Sequence, residues 1–516
     1  MATPNKRPQA GSSTLPAIKV VSRRLVKASD PSIEPYVLPV SNLDLTNTIQ
    51  GSVVCVYPKP SNGGDFRGIT ATFETHLPSF LNYFFPWAGR IVRNPTSGLP
   101  ELHCLNQGAE LVIGEVKVAL ESLDWAQSRA SLKRIQVPYG EDVALSVQVI
   151  SFACGGFAVV WASNNIMGDG NTAMRTVPRD PPTYSAEFAE MFRPVDHERS
   201  INALTVQDST VERLYYVEAR DIARLHKMAS LNSKQRVSRV HAFSAYTWKV
   251  LAGVVAASPR LSEEEKRCGI LWWVDGRSRF SSAHLRAALR HHLGTVCFYA
   301  HAAERARAVL DRPLADVAAA VRDAIASRDY DALFREFVDW AEAHMKHGHG
   351  GTTTFAETPT VGLGNPTLAQ TMWCSFPTDM DFGFGQASLA MPVDACFERL
   401  GASLMLVGSR PGGTGRGSSA RRCGGALRRR WRPTSNASSS PSRPSSLVSP
   451  LRKRIFFLLQ TSCRCLDSKS ACMHPHHFYC SFYSSISCCA VSFLYHPPPT
   501  PYQCWYILEC NSFSVE

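Results

Sequence analysis

The strongest constraint on the fold of this 516-residue chain is a hairpin of two apolar segments. From 145 to 149, Leu and Val alternate with Ser and Gln, the period-two pattern of a half-buried strand. Residues 154–156, Cys-Gly-Gly, supply the turn, and residues 157–161 return as an entirely apolar strand. The polar run Asn-Asn-Ile-Met-Gly-Asp-Gly-Asn follows at 164–171. A polar cluster at the end of a buried strand is a common place for active-site groups, and a simple turn is the alternative.

Helices and further strands are predicted on both sides of this hairpin. The expected strands are 53–57, 269–274 and 388–391, and the expected helices are 77–85, 238–256, 314–325 and one beginning at 331. Asp311 is the expected N-cap of the helix at 314–325, with Pro313 in its first turn. The pattern is α/β or α+β, in two domains that change over near 180–215.

Composition changes near residue 408. Residues 401–516 hold 14 Lys and Arg against three acidic residues, and nine of the 16 cysteines. Residues 1–400 hold 41 basic and 40 acidic residues, so the formal net charge of +12 belongs almost entirely to the tail. Beyond 408 no hydrophobic period is sustained, so 409–516 is predicted to be disordered, as is the polar segment 1–19. A nucleic-acid binder acting through 410–454 is a remote alternative, and we expect no nucleic-acid partner.

Nothing in the sequence predicts a membrane protein or a secreted one. No uninterrupted apolar run approaches the ~18–20 residues of a membrane-spanning helix. The N-terminus lacks the apolar core of a signal peptide. Seven scattered cysteines in the first 400 residues fit a reducing compartment, so we expect a cytoplasmic protein with no membrane partner.

Other motifs are weak. Asp381-Phe382-Gly383 occurs in kinases, but neither a glycine-rich loop nor an H-R-D loop accompanies it. Cysteines and histidines between 463 and 480 lack the spacing of a structural zinc site, and the histidines at 344, 347 and 349 are interpreted as a solvated loop.

Six motifs in order resemble the plant BAHD acyl-CoA-dependent acyltransferases, over about residues 20–407. They are Ser-Asn-Leu-Asp-Leu at 41–45, Pro-Trp-Ala-Gly-Arg at 86–90, Glu-Leu-His-Cys at 101–104, Asn-Ile-Met-Gly-Asp-Gly at 165–170, Asp-Gly-Arg-Ser-Arg at 275–279 and Asp-Phe-Gly-Phe-Gly at 381–385. The resemblance implies a two-domain, chloramphenicol-acetyltransferase-like fold with a channel between the domains. The implied domains are 20–190 and 216–408, with a shortened crossover at 191–215.

The resemblance also implies the site. The fourth motif would hold the catalytic position at Asn165, with Asp169 and Gly170 shaping its loop. Arg277 or Arg279 would brace that aspartate. The loop of Asp381, Phe382, Gly383, Phe384 and Gly385 would be structural, and Lys249 would lie near coenzyme A phosphates. The implied protein is a monomer that binds no metal or resident cofactor. It takes acyl-CoA as co-substrate and transfers an acyl group, such as hydroxycinnamoyl, to a small alcohol or amine.

The chain departs from the family at three places. Asn165 stands where the family has its catalytic histidine, and an amide is not a base near pH 7. Prolines at 178, 181 and 182 interrupt the helix expected after the motif loop, as a missing segment would. After Gly413 the tail reads as a frameshift that removes the last strand and helix of the second domain. The alternative to a weakened enzyme is therefore a non-catalytic acyl-CoA-binding protein or a degenerate one.

Overall fold

The computed structural model describes residues 18–40, 44–46, 50–60, 63–124, 128–164, 166–167, 178–194, 210–217, 219–231, 235–259, 261–289, 296–345, 355–357, 365–374, 381–393, 402–410 and 454–462. The strands are β1 (Lys19–Val26), β2 (Tyr36–Pro39), β3 (Gln50–Tyr57), β4 (Arg90–Arg93), β5 (Pro100–Cys104), β6 (Ala109–Val116), β7 (Leu145–Phe152), β8 (Phe157–Asn164), β9 (Phe192–Pro194), β10 (Thr210–Val217), β11 (Arg267–Asp275), β12 (Cys297–Arg305), β13 (Phe355–Glu357), β14 (Thr367–Trp373), β15 (Leu389–Pro392), β16 (Ala402–Arg410) and β17 (Arg454–Ser462). The helices are α1 (Phe66–Tyr83), α2 (Ser128–Arg134), α3 (Ala186–Ala189), α4 (Ala219–Ala229), α5 (Arg239–Ala256), α6 (Ala283–Leu289), α7 (Ala306–Asp311), α8 (Leu314–Ala326) and α9 (Tyr330–Met345), with short 3-10 helices at Asp44–Thr46, Phe85–Ala88 and Leu120–Ser122.

The predicted hairpin forms the centre of the first six-stranded sheet. The strand order is β1-β6-β7-β8-β3-β15, parallel only between β6 and β7. Helix α1 packs on one face through Phe73 and Phe80, whose rings lie 6.2 and 5.9 Å from that of Trp161. The prediction that the strand at 145–149 is half-buried is wrong. Ser146 and Gln148 are fully buried, because a second layer covers their face.

Helix α1 is longer than the sequence predicted. It begins at Phe66 after Asp65, whose side chain accepts a hydrogen bond from the Gly68 N–H at 2.8 Å. Glycine and β-branched residues in its first half have poor helix propensity. The buried residues Ile69, Phe73 and Leu77 nevertheless recur every fourth position, so packing on the sheet overrides propensity there.

The second sheet has the order β10-β17-β16-β14-β11-β12 among the described residues. It is parallel from β16 through β14 to β11 and antiparallel elsewhere. Helices α5, α8 and α9 contribute to the core of this half. The expected N-cap at Asp311 is wrong, because α7 ends at that residue and α8 begins after Pro313.

The tail supplies a strand that the sequence analysis missed. Residues 454–462 form β17, which pairs antiparallel with β10 on one side and with β16 on the other. The segment 409–516 was predicted to be disordered; the parts of it that the structure describes, residues 454–462 and the last two residues of β16, are strand. The run Ile-Phe-Phe-Leu-Leu at 455–459 is apolar without alternation, which is typical of a central strand. The rest of the tail lies outside the described residues.

Two stretches depart from the expected domain boundaries. Phe188 packs in the second core, although 20–190 was assigned to the first domain. Strand β15, from the expected second domain, joins the first sheet beside β3. The division into two domains remains a prediction, but the two halves exchange these segments.

Gly89, in the second family motif, lies where there is no room for a larger side chain. An added Cβ would lie 2.6 Å from the backbone oxygen of His103 and 3.0 Å from that of Pro86. Backbone atoms yield less readily than a side chain. We therefore expect Gly89→Ala to lower the free energy of unfolding by about 1–3 kcal/mol, measured by urea denaturation. The matched control is Gly98→Ala, where nothing lies within 4 Å but φ is +70°. That substitution tests backbone strain alone, and a larger loss there would contradict the steric account.

A buried carboxylate ties residues 179–183 to α9. Asp339 accepts hydrogen bonds from the backbone N–H groups of Arg179 and Thr183 at 2.8 and 3.0 Å, and from the Arg179 Nε at 2.5 Å. Burial disfavours the charged carboxylate, but these bonds outweigh it and hold the pKa of Asp339 below its usual 3.8. A carboxylate with a depressed pKa stabilises the fold fully at pH values above its ordinary pKa. This stabilisation is lost as the pH falls through the depressed pKa of the folded state.

We therefore expect Asp339→Asn to destabilise the fold at neutral pH. The expected loss of unfolding free energy is about 1–3 kcal/mol, because the hydrogen-bond donors around a buried carboxylate lose an ionised partner. The partial exposure of Arg179 keeps the loss within this range. The loss should stay constant from pH 7 to about 4 and shrink below that. Urea denaturation across this range measures it, with Glu336→Gln, on the same helix, as control. A pH-independent difference would contradict the assignment.

Candidate active site

The polar cluster after the hairpin begins in a closed turn at the end of β8. The Asn164 side-chain Oδ1 accepts a hydrogen bond from the Ile166 N–H at 2.9 Å. The Asn164 carbonyl oxygen accepts from the Met167 N–H at 3.1 Å. Ile166 and Met167 are 2 % and 1 % exposed, and Met167 belongs to the first core. The turn is thus anchored immediately before and after position 165.

Asn164 lies on a polar face of the first sheet. The strand register places Gln50 opposite Asn164, and Ser52 and Ser146 opposite Ala162, so these side chains share one face. The Ser146 hydroxyl donates to Glu110 at 3.1 Å on the neighbouring strand. Such a buried polar face is unusual for a sheet interior and provides hydrogen-bonding groups beside the turn.

Residues 135–140 cross this face and cover it. Gln148 bonds both backbone groups of Val137, accepting at 2.8 Å and donating at 2.7 Å. The Tyr139 hydroxyl donates to the Ser163 carbonyl oxygen at 3.2 Å. The Gln136 Oε1 accepts from the Ser52 hydroxyl at 2.9 Å, while its Nε2 is buried with no hydrogen-bond partner in the described part of the chain. Sequence reasoning missed these residues, because no motif connects them.

The residues predicted for the chemistry lie outside the described ranges. Asn165, Asp169 and Gly170 are not among the described residues, so their predicted roles stay predictions. Arg277 lies after β11, and its Nη1 donates to Asp275 at 2.9 Å. The Arg279 guanidinium carbon lies 5.7 Å from the centre of the Tyr330 ring.

Lys249 caps a helix end. Its ammonium donates to the carbonyl oxygens of Val309, Leu310 and Arg312 at 2.8, 2.7 and 2.6 Å. An ammonium has three N–H donors, so these bonds engage all of them. Burial, assisted by the nearby Arg312 charge, lowers the pKa of Lys249. This geometry argues against the predicted contact with coenzyme A phosphates and gives Lys249 a structural role at the end of α7.

The loop at 381–385 packs into the first core. The Asp381 Oδ1 accepts from the N–H groups of Gly383 and Gly385, both at 2.8 Å. Both glycines have positive φ, +92° and +98°, which side chains rarely adopt. Phe382 lies 5.4 Å from the ring of Phe73, and Phe384 lies 5.8 Å from that of Phe157. The chain continues from this loop into β15. The packing supports the structural role predicted for residues 381–385.

Two histidines are held uncharged in the second half. Burial lowers the pKa of His301, on β12, to about 4. Burial and the charges of Arg322 and Arg279 lower that of His241 to about 4 as well. His241 belongs to the cap of α5, where its Nδ1 accepts from the Ser238 N–H at 3.3 Å. Neither residue belongs to the turn after β8.

The described ranges contain no group of three or more His, Cys, Asp or Glu side chains placed to hold a metal ion. No helix in these described ranges is long and apolar enough to cross a membrane.

Comparison with known proteins identifies the fold as that of coenzyme A-dependent acyltransferases and gives the family. The sequence model of the Transferase family matches residues 17–203 and 171–417. The chain therefore belongs to this family, that of the BAHD acyl-CoA-dependent acyltransferases, as its motifs predicted. The two matches overlap at 171–203, which includes the prolines that interrupt the expected helix.

Individual relatives and structures agree with this assignment. Putrescine hydroxycinnamoyltransferase of Oryza sativa subsp. japonica is 25% identical over 430 residues, covering 73% of this chain and 90% of that protein. Anthranilate N-benzoyltransferase protein 1 of Dianthus caryophyllus is 26% identical over 392 residues, covering 67% and 84%. The crystal structure of vinorine synthase superposes with a TM-score of 0.51 at 20% identity, covering 75% of this chain and 91% of that one. At that identity the superposition shows the fold alone.

Proposed function

We propose that this chain transfers a hydroxycinnamoyl or similar acyl group from coenzyme A to a small amine or alcohol, at a rate reduced by Asn165. The observation that carries the proposal is the anchored turn after β8, which brackets the catalytic position of the family's motif. Two of the relatives named above are amine acyltransferases by name, which favours an amine acceptor.

The reaction needs proximity and a proton acceptor. The acceptor nitrogen or oxygen attacks the thioester carbonyl carbon, the new C–N or C–O bond forms, and the C–S bond breaks. Coenzyme A leaves as a thiolate, which takes up the proton that the attacking nitrogen or oxygen loses. Holding the two substrates together supplies the first requirement. Asn165 cannot take the acceptor's proton, so an amine that is already unprotonated is the more suitable acceptor. The amide N–H of Asn165 would donate to the oxyanion that develops on the carbonyl.

A second candidate is a protein that binds acyl-CoA without turning it over. The observation that favours it is Asn165 itself, because the base that the family uses is missing. Binding without chemistry needs only the fold and the channel that the family resemblance implies.

We also propose a cytoplasmic monomer. The scattered cysteines of the body support the reducing compartment. Of the seven body cysteines, six are described, and none of these six forms a disulfide. Sedimentation velocity tests the monomer, and a sedimentation coefficient that rises with protein concentration would contradict it.

Thiol release tests the function. The full-length chain is mixed with p-coumaroyl-CoA and a panel of amines and alcohols, and free coenzyme A is followed with a thiol reagent. Acceptor-dependent release supports the transferase. Saturable binding of the acyl-CoA without release supports the second candidate.

A further inference from the structure

We propose that the second sheet contains a strand-acceptor site between β10 and β16, which binds residues 454–462 as a separable extended peptide. The space between these two strands is called the acceptor slot below. In the intact chain its occupant is the chain's own β17, and the slot accepts the same segment when a separate molecule supplies it. The proposal goes beyond acyl transfer and does not depend on it, because it concerns only the pairing of strands.

Strand β17 fills the acceptor slot on both edges. It pairs antiparallel with all eight residues of β10 and with seven residues of β16, in an unbroken register on each side. No other described strand pairs with β10 in this sheet. Without β17, the facing edges of β10 and β16 would therefore present unpaired N–H and C=O groups. Such open edges are templates for a further strand, which binds through main-chain hydrogen bonds.

The connection between β16 and β17 does not set their register. Arg410 and Arg454 are paired at the end of the ladder where the chain leaves β16, and about two residues would be enough to join antiparallel strands there. In this chain 43 residues lie between them. A tight turn fixes the register of a hairpin, whereas here the paired residues themselves must fix it. A segment whose register is fixed by its own residues does not need the covalent connection in order to pair.

The register brings similar residues together. Phe456 and Phe457 lie opposite Tyr216 and Tyr215 of β10, and cross-strand aromatic pairs stabilise antiparallel sheets. Leu458, near the centre of β17, lies opposite a leucine on each side. A slip of one residue would break these pairs and turn the side chains of the segment to the opposite face of the sheet. The slot therefore favours this apolar, aromatic segment in one register over other extended peptides.

The test uses the full-length chain with a recognition sequence for a site-specific protease inserted between Gly424 and Gly425. Cleavage then breaks the connection between β16 and β17 without removing a residue. We expect the two fragments to elute together in size-exclusion chromatography under native conditions. A fluorescent peptide of residues 452–462 should replace the cleaved tail, with saturable binding by fluorescence anisotropy that excess unlabelled peptide reverses. The uncleaved chain, whose slot is filled, should not bind the peptide.

Two control peptides test the role of the sequence. The Leu458→Pro peptide lacks a backbone N–H in the middle of the strand and should bind about 10²-fold more weakly. A peptide of the same composition in scrambled order keeps the apolar residues but loses the register, so it should bind no better than the proline peptide. In the cleavable chain itself, Leu458→Pro should let the two fragments separate after cleavage.

Hydrogen exchange gives a readout that needs no variant. In the unchanged full-length chain, the amides of residues 455–461 should exchange about 10-fold or more slowly than those of the free peptide. Fast exchange there would overturn the proposal, because the segment would not be paired. Fragments that separate or precipitate after cleavage would overturn it as well, since pairing would then depend on the covalent connection. Equal binding of the scrambled peptide would also overturn it, because adsorption to an apolar surface would explain the binding.

Discussion

Replacing Asn165 with histidine should raise the rate of acyl transfer by about 10²–10⁴-fold, because this is the usual contribution of a general base. The change restores a basic group between residues that the structure anchors on both sides, Asn164 and Ile166. The gain should be greatest with alcohol acceptors, which must lose a proton as they attack. Amines that are already unprotonated should gain less.

The pH dependence of the rate should also identify the imidazole as the base. The rate of the Asn165→His protein should rise with pH through about 6.5, the ordinary pKa of histidine, while the unchanged chain shows no such step. Asn165→Gln, which keeps an amide, is the matched control and should show no gain. If Asn165→His binds acyl-CoA but turns over no faster, the shortened crossover or the tail, rather than position 165, limits the chain.

Removing the tail after Arg410 should destabilise the second half of the molecule severely. Strand β17 joins β10 to β16, and β10 has no other neighbour in that sheet among the described strands. Each lost backbone hydrogen bond contributes about 0.5–1.5 kcal/mol, and a whole ladder on each side would be lost. We expect the free energy of unfolding to fall by about 5 kcal/mol or more, with loss of soluble protein. A chain that ends at Ser462 should keep most of the stability.

A proline substitution separates the strand from the rest of the tail. Leu458→Pro removes a backbone N–H from the middle of β17 and should cost about 3 kcal/mol or more in unfolding free energy. Leu466→Pro, eight residues further along, is the matched control and should have little effect. If a chain ending at Arg410 is as stable as the full chain, the tail contributes no strand, and its unusual composition reflects a frameshift alone.

The hairpin could be predicted from the sequence because its signals are local. Alternation, a Gly-Gly turn and an apolar return strand all lie within 17 residues, and β7 and β8 confirm them. The burial of Ser146 and Gln148 was not predictable in this way. It depends on residues 135–140 crossing the sheet, held by bonds such as that between Gln148 and the Val137 backbone.

Long-range pairing accounts for the other differences between the predicted and the observed structure. A strand was expected at 388–391, where β15 lies, but its partner β3 lies more than 300 residues earlier, and no local pattern specifies that pairing. Strand β17 was missed because the composition around it is atypical, although its own nine residues are strand-like. Lys249 was associated with coenzyme A phosphates through the family resemblance, whereas the carbonyls at the end of α7 that it binds lie about 60 residues further along the chain. The location of the site stays a prediction from its motif, and residues 135–140, which cover the neighbouring face of the sheet, could not be predicted from any motif.

The most direct test of the account is a single-turnover reaction of the unchanged chain. The full-length protein is held in excess over p-coumaroyl-CoA with an unprotonated amine such as agmatine at high pH, and the amide product is quantified by mass spectrometry. The account predicts amide formation above the rate without protein, and a faster reaction by about 10²-fold or more in Asn165→His. Saturable binding of the acyl-CoA with no amide above the uncatalysed rate, in either protein, would contradict it.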